Sequence, residues 1–301
     1  LRQLRVDEFL QARSLSSNSQ RAYRRELQRF LSWTDQPWAT VTARQLAQYK
    51  THLHQQQLAP TSINRALASL KSFYRWLQKA HPAEVPLNPA EAISFETVPL
   101  PPARDLLESE VDALYAALEQ RGPFQLRDTA LVAVLAHGLR ACEVERLNLG
   151  DYDGVRLRVA EAKDDSTGTV PLSQRGRQAL DAYLAERQQE EGMLPETSPL
   201  FVTQTANYRG ERLKYKGIYR VIQKLGAIAG IANLTPHRLR HTFATNLLLW
   251  GMDSLHARTL TRHQSEVSFK RYAKRAMQAA AERAFYQAIE EEPPEEENQK
   301  E

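Results

Sequence analysis

The run Thr235-Pro236-His237-Arg238-Leu239-Arg240-His241 begins the way a helix begins. Thr235 suits the N-cap, and Pro236 suits the first helical position, where its missing N–H costs nothing. His237 and Arg240 then stand three apart and project from one face. Leu239, Phe243 and Leu247 recur as the buried stripe of the same helix, and Gly251 supplies its stop. A polar pair fixed on a packed helix is able to hold one phosphate in a set place. An isolated His-x-x-Arg would more simply decorate a surface, so the weight rests on what accompanies it.

Working outward, His263 and Tyr272 follow nine positions apart, and Arg140 lies far upstream in His137-Gly138-Leu139-Arg140. Arg140 sits where one helix ends after Gly138 and another, Ala141-Cys142-Glu143-Val144, begins. Read alone, it is a helix-end cation. A guanidinium is permanently charged and forks onto two oxygens, so two arginines converging on a phosphodiester can neutralise the charge that builds in its transition state. Glu143 reads as an orienting partner for an arginine or histidine rather than as a base. A phenol titrates near pH ~10, so Tyr272 needs cationic neighbours or a base to serve as a nucleophile. Lys270, Arg271 and Lys274 place positive charge beside it.

Bulk properties narrow the partner. The 301 residues suggest two domains, and 42% apolar with 25% charged residues is ordinary globular composition. No apolar run is long enough to span a bilayer, and no apolar N-terminal segment reads as a secretion signal. The single cysteine, Cys142, cannot form an internal disulfide and fits a reducing cytoplasm; no Cys/His cluster has zinc spacing. The net charge of +4 hides an uneven distribution. Residues 1–80 carry thirteen Arg/Lys against four Asp/Glu, whereas Glu290 to Glu301 hold seven Glu and one Lys. A basic body with an acidic tail suits a polyanion, and nucleic acid is the commonest one.

The N-terminal part, 1–81, reads as a compact bundle of about four helices. One follows the capping run Ser16-Ser17-Asn18-Ser19 with Tyr23, Leu27, Phe30 and Leu31 inward and Arg21, Arg24, Arg25 and Arg29 opposite. Another begins near Thr42 and buries Leu46, Tyr49 and Leu53. A third follows Pro60 and buries Ile63, Leu67, Leu70, Phe73 and Leu77, leaving Arg65, Lys71 and Arg75 for solvent or DNA. Arg25, Arg65 and Lys71 are the expected phosphate contacts. Residues 82–106 hold six of the fifteen prolines and read as a linker. Residues 107–289 form a second domain, mostly helical with one hairpin: Val155, Leu157 and Val159 alternate, Asp164 to Gly168 turn, and Thr169 to Leu172 return. A helix after Lys274 carries Met277, Ala281 and Phe285 on one face, and 290–301 is an acidic tail expected to be disordered.

Arg140, a hairpin lysine, His-x-x-Arg, His263 and Tyr272 together resemble, in order and spacing, the active site of the tyrosine recombinase (lambda-integrase) family. Leu131 to Leu149 is similar to the family's first arginine box. The hairpin resembles its GKG-type turn, with Lys163 on the catalytic lysine, and Thr61 to Leu77 with Asn88-Pro89 resembles its SAM-like core-binding domain. The resemblance covers nearly the whole chain up to about residue 285. It implies a mainly α protein: a helical core-binding bundle plus a mixed, mostly helical catalytic domain with a small hairpin. It also implies a chemistry. Tyr272 attacks a DNA phosphate to give a 3′-phosphotyrosine and a 5′-hydroxyl. Arg140, Arg240 and His263 stabilise the phosphorane, Lys163 protonates the leaving oxygen, and His237 takes or relays the tyrosine's proton. No cofactor and no metal are implied, because the linkage conserves phosphodiester energy. The implied partners are a double-stranded recombination site and further copies of a recombinase, as a tetramer on two DNA sites, in the cytoplasm and with no membrane.

Three positions depart from the family's pattern. Arg262 stands in Thr261-Arg262-His263 where glycine is usual, and arginine does not readily take a positive φ. Ser166 and Gly168 replace hairpin residues that are often basic. His137 stands where threonine is common. The two-domain reading holds no arm-binding domain, so the simple Xer-like form is expected rather than a lambda-type integrase. The remaining alternatives are a type IB topoisomerase and a catalytically silent DNA-binding protein of the same fold.

Overall fold

A computed structural model describes residues 1–99, 104–160, 167–263 and 266–291. The chain divides into two compact units, Leu1–Leu100 and Pro101–Glu301.

The first unit holds α1 (Arg2–Gln11), α2 (Ser17–Trp33), α3 (Ala43–Gln55) and α4 (Pro60–Ala80). The starts follow local chemistry. The Ser16 hydroxyl accepts from the Ser19 N–H at 3.3 Å. Thr42 and Gln45 cap α3 reciprocally, at 3.3 and 2.9 Å. Pro60 opens α4, where its fixed φ suits a helix. The core is rich in aromatic rings that meet edge-on, tilted or stacked, among them Phe9, Phe30, Trp38, Phe73 and Tyr74. Their polar atoms are satisfied: the Trp38 indole donates to the Arg2 carbonyl at 2.9 Å, and the Tyr74 hydroxyl to the Trp38 carbonyl at 3.2 Å. Val85, Ala90 and Ile93, from the proline-rich stretch, are buried in this same core.

Glu26 is buried on the inner side of α2, where the apolar period alone would place a hydrophobe. Its carboxylate accepts from Arg25 (2.9 Å), Arg29 (2.7 Å) and Arg65 (2.9 Å). A buried charge persists only when paired, and here three partners share it.

The second unit holds α5 (Glu108–Glu119), α6 (Gln125–Ala136), α7 (Ala141–Arg146), β1 (Arg156–Val159), β2 (Gly168–Pro171), α8 (Gln174–Glu191), α9 (Tyr215–Ala229), α10 (Pro236–Leu249), α11 (Ser254–Thr261) and α12 (Glu266–Ala288). β1 and β2 pair antiparallel with Leu157 opposite Val170, and Leu157, Val159 and Val170 turn into the core. α6 is buried nearly all round, so it is the central helix; the Asp128 carboxylate in its first turn binds Arg121 at 2.6 Å and Arg127 at 2.7 Å. The expected stop of α10 is realised: Gly251 takes φ 85°, and Met252 and Gly251 donate back to Leu247 and Leu248.

The last helix departs from expectation. It starts at Glu266, not after Lys274, so Tyr272 is itself a helical residue. Met277 and Phe285 on that helix are exposed. No helix among the described residues is long and apolar enough to cross a membrane.

Candidate active site

Arg140 is the N-cap of α7. A cation there opposes the positive end of the helix dipole, and Glu143, one turn on, offsets it. The buried Glu143 carboxylate accepts the Arg140 N–H at 2.8 Å and its Nη1 at 2.6 Å. Arg140 Nη2 donates to the Arg262 carbonyl at 3.2 Å. The guanidinium is thus held from two sides while part of its surface stays open.

Arg240 is almost wholly buried on α10. Its Nη1 donates to the Gly138 carbonyl and its Nη2 to the Thr261 carbonyl. Gly138 takes φ +84°, and a Cβ there would lie 2.7 Å from the Phe243 ring, so only glycine presents that carbonyl in this way. Burial pushes the Arg240 pKa down to about 9, with Arg140 and Arg262 acting in the same sense and Glu143 and Tyr272 against it. Arg240 therefore stays a cation at neutral pH. Its Nε is buried with no hydrogen-bond partner among the described residues. An unmet buried donor costs about 1–3 kcal/mol, and an anionic oxygen is the group that would satisfy it.

Arg262 takes φ 52° and ψ 45°, the left-handed conformation in which glycine is at ease and arginine is not. It closes α11, and the turn that follows delivers His263, whose Nδ1 lies 2.7 Å from the Thr261 hydroxyl. The strained position is occupied, and the histidine is held.

Tyr272 is fully buried. Its ring contacts His241 at 5.3 Å, His263 at 5.6 Å and Phe269 at 5.4 Å between centroids. His241 also meets His237 at 5.4 Å. A cavity of about 920 Å³ is lined by Arg140, Cys142, Tyr215, Tyr219, His237 and His241 among others. Arginines and imidazoles thus share its lining, as an oxyanion site requires, and the Tyr272 phenol packs behind it against His241.

Of the expected site residues, Arg140, His237, Arg240, His263 and Tyr272 belong to this one region. Lys163 lies outside the described residues. Arg238, the other arginine of the motif, also lines the cavity and pairs with Glu110 at 2.9 Å. Arg25 and Arg65 come together on Glu26, each about half exposed, while Lys71 lies over the Phe95 ring at 4.9 Å. Two participants were missed by sequence reasoning. His241 touches the candidate nucleophile, and its only signal was standing one helical turn after His237. Arg262 was legible only as a departure from pattern. His137, the residue standing where threonine is common, holds two segments together. Its Nδ1 lies 2.6 Å from the Ala133 carbonyl, and its Nε2 accepts the Ser173 N–H at 2.9 Å.

Comparison with known proteins finds relatives of both units. The model described as "Phage integrase family" matches residues 104–279, and "Phage integrase, N-terminal SAM-like domain" matches residues 6–81. A tyrosine recombinase XerC of Herpetosiphon aurantiacus is 30% identical over 260 residues, covering 84% of this chain and 83% of its own. Among solved structures, an XerA recombinase is similar over 97% of this chain and 99% of its own, at 26% identity and a TM-score of 0.51. The Tn1549 transposon integrase in complex with a circular intermediate DNA covers 94% of this chain and 98% of its own. Its TM-score of 0.72 at 18% identity marks a shared fold.

Proposed function

The chain belongs to the phage integrase family of tyrosine recombinases, enzymes that break and rejoin DNA at specific sites, and from that premise we propose that Tyr272 is its nucleophile. The Tyr272 oxygen attacks a backbone phosphorus as the bond from phosphorus to the 5′-oxygen breaks. The products are a 3′-phosphotyrosine and a free 5′-hydroxyl. His237 accepts or relays the phenol's proton, and Lys163 gives one to the leaving oxygen. Arg140, Arg240 and His263 carry the extra negative charge of the phosphorane. Attack by a second strand's 5′-hydroxyl reverses the step and exchanges the strands.

The observation that carries this reading is the anchoring of two guanidiniums on neighbouring carbonyls. Arg240 holds those of Gly138 and Thr261, within electrostatic reach of the buried Tyr272, and Arg140 holds that of Arg262. Such fixed charge stabilises a transition state without reorganising during the reaction. The same proposal divides the chain into a DNA-binding bundle (1–81), a connecting stretch (82–106), a catalytic domain (107–289) and an acidic tail (290–301). In it, Arg25, Arg65 and Lys71 contact phosphates. Solved relatives include a lambda integrase dimer on a core site and an XerH recombinase on a palindromic substrate. By analogy the present chain acts on a duplex site in the cytoplasm, as a tetramer across two sites.

The test is capture of covalent protein–DNA adducts from fragmented genomic DNA, wild type beside Tyr272→Phe. Adducts that survive denaturation, vanish in the variant and carry one short inverted-repeat sequence support the proposal. Adducts on unrelated sequences favour a type IB topoisomerase activity. Equal adduct yield from the phenylalanine variant would remove Tyr272 from the reaction.

A further inference from the structure

Residue 262 is a costly place for an arginine. A non-glycine residue in the left-handed region costs on the order of 1 kcal/mol or more, and persists only where its surroundings over-determine it. Here they do. Arg262 Nη2 lies 2.6 Å from Glu143 Oε2 and 3.5 Å from the Gly138 carbonyl, and its Nη1 lies 3.3 Å from the Leu260 carbonyl. The side chain is almost completely buried, and its Nε has no hydrogen-bond partner among the described residues. Glu143 and Gly138, which it uses inside the site, each serve another arginine as well: Glu143 serves Arg140, and Gly138 serves Arg240. Its own carbonyl accepts from Arg140 Nη2.

The hairpin makes room for it. A Cβ built on Gly168 would stand 3.3 Å from Arg262 Cδ, so a side chain at 168 would press on the arginine's stem. Two of the sequence's departures from pattern are therefore in contact. Where the hairpin strand lacks a basic side chain, the stem of Arg262 passes, and its guanidinium goes to Glu143.

We infer that Arg262 is a positioning residue of the phosphate site, holding Glu143 and, through it, Arg140 in place for the reacting phosphate. This rests on reading the site as one for phosphoryl transfer. Charge supplies the reason. Arg140, Arg240 and Glu143 together carry one net positive charge; Arg262 makes it two. A phosphodiester under attack by a phenolate becomes a dianionic phosphorane, and the second net positive charge on this arginine cluster strengthens its hold on that dianion. Without Arg262 the Glu143 carboxylate draws on Arg140 alone and weakens what that guanidinium offers a ligand.

The full chain, Arg262→Gly and Arg262→Lys are compared for binding of orthovanadate, which adopts the five-coordinate geometry of a phosphorane, by titration calorimetry. Cooperative thermal unfolding checks that each variant is folded. The glycine variant keeps the backbone turn without strain and should bind vanadate about 10–100-fold more weakly, roughly the loss seen when residues behind a direct ligand contact are removed. The lysine variant, which keeps the charge, should fall between the two. Glycine-variant affinity equal to wild type overturns the inference. So does an equal loss in both variants, which would mark Arg262 as packing alone, and so does an absence of vanadate binding by the wild type. Adduct formation by wild type and its loss in Tyr272→Phe report on the proposed function separately.

Discussion

Replacing Glu143 by glutamine removes one negative charge from a group of three guanidiniums while nearly conserving shape. The carboxylate is 2% exposed and receives the Arg140 N–H at 2.8 Å, Arg140 Nη1 at 2.6 Å and Arg262 Nη2 at 2.6 Å. Taking away one partner of a buried ion pair costs about 3–5 kcal/mol. Arg140 retains 25% of its side-chain exposure and can be partly solvated, so the lower end of that range, about 3 kcal/mol, is expected. In a unit of this size each kcal/mol moves the midpoint by about 2–4 °C, so Glu143→Gln should melt roughly 6–12 °C lower. The pH dependence adds a second readout. Burial alone would raise the Glu143 pKa, but Arg262 and then Arg140 outweigh it, and the net shift is downward. A lowered carboxylate pKa contributes stability that is complete above the unfolded value, about 4.5, and is lost as pH falls through the lower folded value. The variant has no such group, so its stability should fall less steeply than that of wild type below pH ~4.5. Calorimetric melts from about pH 3 to 8, with adduct-formation rates at about pH 7, make the comparison. The rate should drop about 10–100-fold, because the glutamine no longer fixes Arg140. A midpoint within about 2 °C of wild type, together with an unchanged rate, would refute the account of Glu143 as the group that holds the arginines.

Other outcomes follow from the same structure. His137 is kept neutral, chiefly by burial, which lowers its pKa; stability should therefore decline as pH falls through the unfolded value near ~6.5, and His137→Gln should flatten that decline in urea melts. Asp128→Asn leaves Arg121 and Arg127 buried against a neutral amide and should cost about 3–5 kcal/mol in denaturant unfolding, with a change under about 1 kcal/mol contradicting the assignment. Exchanging Arg25, Arg65 and Lys71 together for glutamine should weaken binding to random duplex DNA. It should also make the slope of log affinity against log salt shallower by about 2–3, and an unaltered slope would exclude these residues as phosphate contacts.

How much of this was legible in the chain depends on the range of the interaction concerned. Ser16, Thr42, Thr235 and Gly251 act on backbone groups within a few residues, so their sequence context alone announces the helix boundaries. The alternation of Leu157 and Val159 marks a strand for the same reason, since the two faces of a strand are set by a period of two. The start of α12 carried no such signal, and Tyr272 joined a helix that local pattern began only after Lys274. Glu26 broke its helix's apolar period and was readable as buried only once Arg25, Arg29 and Arg65 were seen around it. A charge can be buried wherever partners arrive, and one of those partners lies 39 residues away.

The candidate site divides along the same line. The chain by itself determined the inventory and its order: Arg140, His237, Arg240, His263 and Tyr272, chemical types that make sense together on a phosphate. Tertiary structure decided how they are held. Arg240 is fixed by the carbonyl of Gly138, 102 residues before it, and Arg140 by the carbonyl of Arg262, 122 residues after it. Main-chain carbonyls are the same in every residue and leave no mark in a sequence, so such anchoring is visible only when distant segments meet. Arg262 is the sharpest instance. By local rules it is the wrong residue for a left-handed turn, and what outweighs those rules is a buried carboxylate 119 residues away.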